Sequence, residues 1–202
     1  DRVLFAQHFG LMIGAERDCS PAYDTDLRER YVADVVSRPG GGFAAVSSDG
    51  DVPNSLYVSP TGSEPFSPVG APFPLGFLPE RVRFAEGDPM HVYVSGETVV
   101  SSTMSFAGTL FASHDGGAHW DAFDVPLDDD EHVLRALAVD PADADRLFLV
   151  AQSTVSDRVI EVTGGGATQA STLSLMAVPI ASDRPMVLAF TSDHSIWLGN
   201  TE

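Results

Sequence analysis

Apolar residues in this chain come in short runs, mostly four to six residues long, each bounded by Gly, Pro, Asp or Ser. Residues 3–6 (VLFA), 43–46 (FAAV), 56–58 (LYV), 91–94 (HVYV), 110–112 (LFA), 147–150 (LFLV) and 195–198 (SIWL) follow this pattern. Runs of that length between turn residues predict β-strands in an all-β chain. Residues 133–139 (VLRALAV) are the one stretch that reads like a helical turn. They stop at Asp140-Pro141, and both period and length favour a strand there.

The runs repeat. An apolar triplet, a small residue and a turn recur at Leu11-Met12-Ile13-Gly14, Leu56-Tyr57-Val58-Ser59, Leu110-Phe111-Ala112-Ser113 and Ile160-Glu161-Val162-Thr163, with last positions 45, 54 and 50 residues apart. A strand of similar type lies about 20 residues before each of the last three, at 43–46, 91–94 and 147–150. Another precedes it, at 31–36, 82–84 and 133–139, and a fourth follows the triplet, as at 120–125. Four short antiparallel strands per ~50 residues is the period of a β-propeller blade. The sequence therefore predicts one propeller domain over 1–202, with complete blades near 31–79, 80–131 and 132–182. Partial blades are expected at 1–30 and 183–202, about four blades' worth in all, as part of a larger ring. The Pro-rich stretch 65–79 falls where one blade should lead to the next.

The third triplet continues as Ser113-His114-Asp115-Gly116-Gly117-Ala118-His119-Trp120, which is Ser-x-Asp-x-Gly-x-x-Trp. On these residues the chain resembles the BNR, or Asp-box, repeat propellers. That group includes sialidases, sortilin-type receptors, xyloglucan-active glycosidases and photosystem assembly factors. In texture the chain is similar to secreted bacterial sialidase-like repeat proteins of unassigned function. Residues 140–149 (DPADADRLFL) are similar to the family's usual lead-in to a blade. Other boxes are worn: Ser59 and Phe66 keep two positions of one, with Thr61 and Ser63 in place of its Asp and Gly. Thr163 opens another that has Ala170 at the aromatic position, and Gly14 marks a fourth. The resemblance implies that Ser113, Asp115, Gly117 and Trp120 are structural. The Ser and Asp side chains would hold a hairpin turn, Gly117 would take positive φ, and Trp120 would plug the space between sheets. In the family this turn sits away from the catalytic face, so it implies fold and not activity.

Charge narrows the partners. There are 29 acids against 11 bases, a formal net charge of -18, and every base is arginine. Such a field repels nucleic acid and anionic membrane surfaces. The longest uncharged run, 162–182, has the length of a span but too many Gly, Ser and Thr to insert. Cys19 is the single cysteine and reads as a half-buried loop thiol.

Candidate chemistry is sparse. A sialidase needs an arginine triad, a tyrosine–glutamate pair and an acidic acid/base. The family's Phe/Tyr-Arg-Ile-Pro motif is absent, with Arg38-Pro39 and Arg184-Pro185 its nearest remnants. Arg81 and Arg83 alternate on one strand, and Tyr23, Tyr31, Tyr57 and Tyr93 are available. The plainer reading is that the arginines neutralise nearby acids. Asp128-Asp129-Asp130-Glu131 reads as a solvated loop between blades. Asp140, Asp143 and Asp145 offer oxygen ligands that calcium would accept, but without EF-hand spacing. His114 and His119 belong to the box turn, and there is no zinc-hydrolase motif. Gly40-Gly41-Gly42-Phe43-Ala44-Ala45 mimics a dinucleotide loop but leads into a strand and not a helix, so it reads as a hairpin. No catalytic residue, cofactor or metal site is assigned.

These readings favour a non-catalytic, secreted or surface-exposed binding or scaffold module, with a protein or glycan ligand and with further blades of a longer chain as neighbours. The alternative is an exo-glycosidase of sialidase type whose catalytic residues lie partly outside this segment. The aspartate-rich, lysine-free composition also suits high salt, where screening shortens self-repulsion. Thermal melts across a salt series are expected to rise with salt, and melts that do not move would remove that environmental reading.

Overall fold

The computed structural model describes residues 2–7, 10–15, 22–62, 64–100, 105–153, 157–164, 174–178, 185–190 and 196–200. All regular structure among them is β, with no helix. Strands β1 (Arg2–Gln7), β2 (Gly10–Ala15) and β3 (Ala22–Tyr23) form a three-stranded antiparallel sheet. Three four-stranded antiparallel meanders follow. The first is β4 (Val32–Ser37), β5 (Phe43–Ser47), β6 (Leu56–Ser59) and β7 (Ser67–Val69). The second is β8 (Phe77–Ala85), β9 (Asp88–Val100), β10 (Ser105–Ser113) and β11 (Asp121–Val125). The third is β12 (Glu131–Asp140), β13 (Asp143–Ser153), β14 (Arg158–Thr163) and β15 (Ser174–Val178), and a pair, β16 (Pro185–Phe190) and β17 (Ile196–Asn200), comes last. The ambiguous stretch 133–139 is strand, inside β12. The glycine run is the β4–β5 hairpin, where Gly41 donates to the Arg38 carbonyl and Arg38 to that of Gly42. Cys19 and Ala170 lie outside the described residues.

Burial explains the apolar triplets. The second and third strands of each meander are covered on both faces by neighbouring sheets, so they carry continuous apolar runs instead of alternation. In β13, residues 147–151 are all buried, and in β10 the last six residues are. The outer strands β7 and β11 are mostly exposed. One cluster, around Leu134, Leu147, Leu149, Tyr93 and Leu110, lies between the second and third meanders. A second, around Phe77, Val82, Val94, Phe73 and Phe111, joins the first to the second.

The first strands pack on one another in series: β4 on β8, β8 on β12, β12 on β16. Each is the edge of its sheet, so part of its backbone has no ladder partner. Each also carries a one-residue irregularity, between Val32 and Asp34, Pro79 and Arg81, Ala136 and Ala138, and Pro185 and Val187. A bulge releases backbone groups from the ladder. Side chains from the adjacent sheets take them up. Arg81 Nη1 donates to the carbonyls of Ala33 (3.3 Å) and Glu80 (3.1 Å), and Arg83 Nε to that of Leu137 (3.0 Å). Asp34 accepts from the Val82 amide (3.1 Å) and from Arg83 Nη1 (2.7 Å). Ser95 Oγ accepts from the Ala136 amide (2.6 Å), and Glu97 Oε1 from that of Leu134 (3.2 Å).

Glu97 is the strained member of this seam. It is buried, and burial, reinforced by Glu80, pushes its carboxyl from 4.5 up to about 7. A raised folded value means that the fold favours the neutral acid. That stabilisation is complete below about pH 4.5 and is lost as pH climbs through about 7. Glu97→Gln keeps an acceptor for Leu134 and removes the titration. Its stability relative to the parent should match near pH 4 and then climb between about 4.5 and 7, by at most about 3 kcal/mol. Denaturant melts at several pH values would test this, and parallel pH curves would contradict it.

Candidate functional site

The turn after β10 is built as its residues require. Ser113 is buried, and its hydroxyl donates to Asp115 Oδ1 (2.8 Å) while accepting from the amides of Gly117 (2.9 Å) and Asp115 (3.3 Å). Asp115 Oδ1 accepts from the His119 amide (2.9 Å) and Oδ2 from His119 Nδ1 (2.6 Å). The backbone bond from His119, then its ring and Ser113, hold the Asp115 carboxyl far below the ordinary carboxylate range. Gly117 sits at φ +99°, where a side chain would be strained and would also press on Leu56 of the preceding sheet. Opposite it, Gly70 approaches so closely that a Cβ there would collide with the carbonyl oxygens of Gly117 and Ala118.

Trp120 lies against the cluster that joins the first meander to the second. It is half-buried and packs at the margin of the cluster, 5.1 Å from the Phe73 ring at 52°. Its indole Nε1 is buried with no hydrogen-bond partner among the described residues. Beside it lies a pocket of about 340 Å³ whose walls include Phe73, Phe111, Trp120, His119, Pro72 and Pro74. No carboxylate lines it among the described residues.

The worn box at Ser59 shows which parts of the turn are interchangeable. Ser59 Oγ still accepts from a glycine amide, Gly62 (3.0 Å), and donates to the Glu64 carbonyl (2.7 Å). Phe66, at the aromatic position, is fully buried. The position of His119 is held by Pro65, which has no N–H to offer. An aspartate at Thr61 would have no amide to cap there, and the Phe66 amide instead donates to Asp24 Oδ2 of the preceding sheet (2.8 Å).

The remaining candidates do not converge. Arg81 and Arg83 are committed to the seam, and Arg30, Arg135, Arg146 and Arg158 pair with Asp49, Glu80, Asp140 with Glu161, and Glu131 with Asp128. Tyr93 is fully buried and donates to the Ala144 carbonyl (2.6 Å), Tyr57 is buried in a different cluster, and Tyr31 is exposed. The Tyr23 side chain and Arg184 lie outside the described residues. Asp128, Asp129 and Asp130 are exposed, but Glu131 corrects the solvated-loop reading: it is buried and accepts from Arg158 Nε (2.8 Å) and Nη2 (2.5 Å). Of the acids placed near calcium chemistry, Asp140 is bound to Arg146 (2.7 Å), and Asp143 accepts from the Asp145 amide (3.1 Å). Asp145 turns instead toward two histidines, His91 and His114, with ligating atoms all within 4.8 Å of one another. Sequence reasoning missed this cluster because its members are 23 and 31 residues apart, and Asp145 joins the two histidines from the next sheet.

Fold and seam together define an all-β protein of propeller type, built of four-stranded antiparallel sheets. No family model and no curated protein matches the chain. Among solved structures it is similar to an ancestral GH74 enzyme, with TM-score 0.65 and 15% identity over 91% of this chain and 25% of that one. It is also similar to the GH74 xyloglucanase from Xanthomonas campestris, with TM-score 0.59 and 18% identity over 98% of this chain and 34% of that one. The chain thus spans between a quarter and about a third of these enzymes' lengths, and at such identities the likeness concerns the fold.

Truncating the box should separate its two parts. Ser113→Ala strands the buried Gly117 amide and should cost about 1–3 kcal/mol. Trp120→Ala should cost about 2–4 kcal/mol, below a fully buried aromatic because one side is open. Denaturant melts measure both, and a Ser113→Ala variant as stable as the parent would remove the turn from the structural account.

Proposed function

We propose that this chain is part of a non-catalytic BNR-type propeller, secreted or displayed at the cell surface, which acts as a binding and scaffold module with a glycan as ligand. The carrying observation is the pocket beside Trp120. Its walls are aromatic and apolar, and its volume suits a small ligand. Aromatic walls accept the apolar face of a pyranose ring. Glycosidic cleavage needs two carboxylates about the bond, and none lines this pocket among the described residues. The BNR assignment is supported by the hydrogen bonding of Ser113, Asp115 and Gly117. The glycan reading is supported by the likeness to a xyloglucanase and a second GH74 enzyme. Further blades of a longer ring would associate through the seam edges.

An exo-glycosidase remains the rival reading, and Glu97 favours it, since a carboxyl held up to about 7 is in the range of a general acid. Its burial and its bond to the Leu134 amide argue for a structural acid.

The test is calorimetric titration with xyloglucan oligosaccharides and with sialyllactose, beside assays for their cleavage. Binding without release of sugar is expected, weakened about five- to tenfold in Trp120→Ala, which removes an aromatic wall. Cleavage of either glycan, or no binding of either, would overturn the proposal.

A further inference from the structure

Three side chains meet where the second meander abuts the third. His91 stands near the start of β9, His114 follows β10 within the box turn, and Asp145 lies near the start of β13. The imidazoles of His91 and His114 pack edge to face, centroids 4.5 Å apart at 79°. His91 Nδ1 is 2.8 Å from Asp88 Oδ2. A carboxylate oxygen accepts, so His91 donates to it through Nδ1. Nε2 is thereby left facing away from Asp88.

Nε2 faces Asp145 Oδ1 across 3.6 Å. The separation is too long for a hydrogen bond. Asp145 Oδ1 is nevertheless shut off from solvent, with no hydrogen-bond partner among the described residues. The ring nitrogens of His114 make no hydrogen bond among the described residues either. At their distance His91 Nε2 and Asp145 Oδ1 make a poor hydrogen-bonding contact on their own. They make a good one around a cation. Ligands at 2.0–2.2 Å in tetrahedral array lie about 3.4 Å apart, close to the separation seen. The other donor separations are within 4.8 Å, and Asp145 is exposed enough to rotate the remaining distance.

We propose that His91, His114 and Asp145 bind one divalent first-row transition-metal ion, of which zinc is the representative, with Asp88 orienting His91. Two imidazoles exclude calcium and magnesium as preferred occupants, because those ions take oxygen ligands. The Asp88–His91 pair is the carboxylate–histidine arrangement that fixes tautomer and raises ligand basicity. The net charge of -18 concentrates cations at the surface. Two ligands come from the second meander and one from the third, so the ion fastens one sheet to the next at the box turn. A fourth position remains for water or an added ligand.

The test is titration of the metal-stripped chain with Zn²⁺, followed by calorimetry and thermal melting. One ion per chain is expected, with a melting rise of roughly 5–10 °C at a hundredfold excess over Kd. Ca²⁺ should give no such rise. His91→Ala and His114→Ala should each lose most of the affinity, and Asp88→Asn should weaken it about 10- to 100-fold. His119→Ala, in the same turn but bonded to Asp115, should bind as the parent does. Should the variants fail to fold, Co²⁺ added to the parent decides the matter. An intense visible spectrum of low-coordinate cobalt, bleached by Zn²⁺, supports the site. No Zn²⁺ binding by the parent, undiminished binding in folded His91→Ala and His114→Ala, or only the weak spectrum of hydrated cobalt would overturn it.

Discussion

The structure depends on one constraint: first strands set side by side, each an edge, must satisfy backbone groups that no ladder reaches. Asp34, Ser95 and Glu97 accept the stray amides of the next sheet, and Arg81 and Arg83 donate to carbonyls freed by the bulges. These bonds are partly or fully buried, so losing one would leave a buried group unpaired, which costs more than the bond itself gains. The seam thereby sets the register between sheets, while the apolar clusters, which are not directional, supply most of the cohesion.

That constraint also accounts for the arginines. In an acid-rich chain they could have been gathered into an anion-binding site, but those in ion pairs are spread along the sheets, each holding one or two carboxylates. Arg158 lets Glu131 be buried, and Arg146 does the same for Asp140. A guanidinium presents several donors in a fixed plane, which suits a position where a carboxylate and a backbone carbonyl must be met together, as at Arg83.

The two box turns show how the same hairpin tolerates different residues. The hydroxyl-to-glycine bond is kept in both, because without it a buried amide is left over. The aspartate is dispensable where proline removes the amide it would cap. An aromatic side chain is kept at both eighth positions, yet Phe66 is fully covered while Trp120 borders a pocket, since different neighbours lie beside each turn.

Strand content, antiparallel meanders and propeller character were legible in the sequence, because burial on both faces writes continuous apolar runs and turns write Gly, Pro and Asp between them. The hydrogen-bond scheme of Ser113, Asp115 and Gly117 was legible for the same local reason: all its partners lie within four residues. What joins separate sheets was not. The bulges, the neutral bias of Glu97, the burial of Glu131, the pocket at Trp120 and the meeting of His91, His114 and Asp145 depend on pairs tens of residues apart. Nothing in local composition encodes such distances. They are decided when the sheets stack, because only then does each edge group find whether water, a side chain or nothing stands opposite.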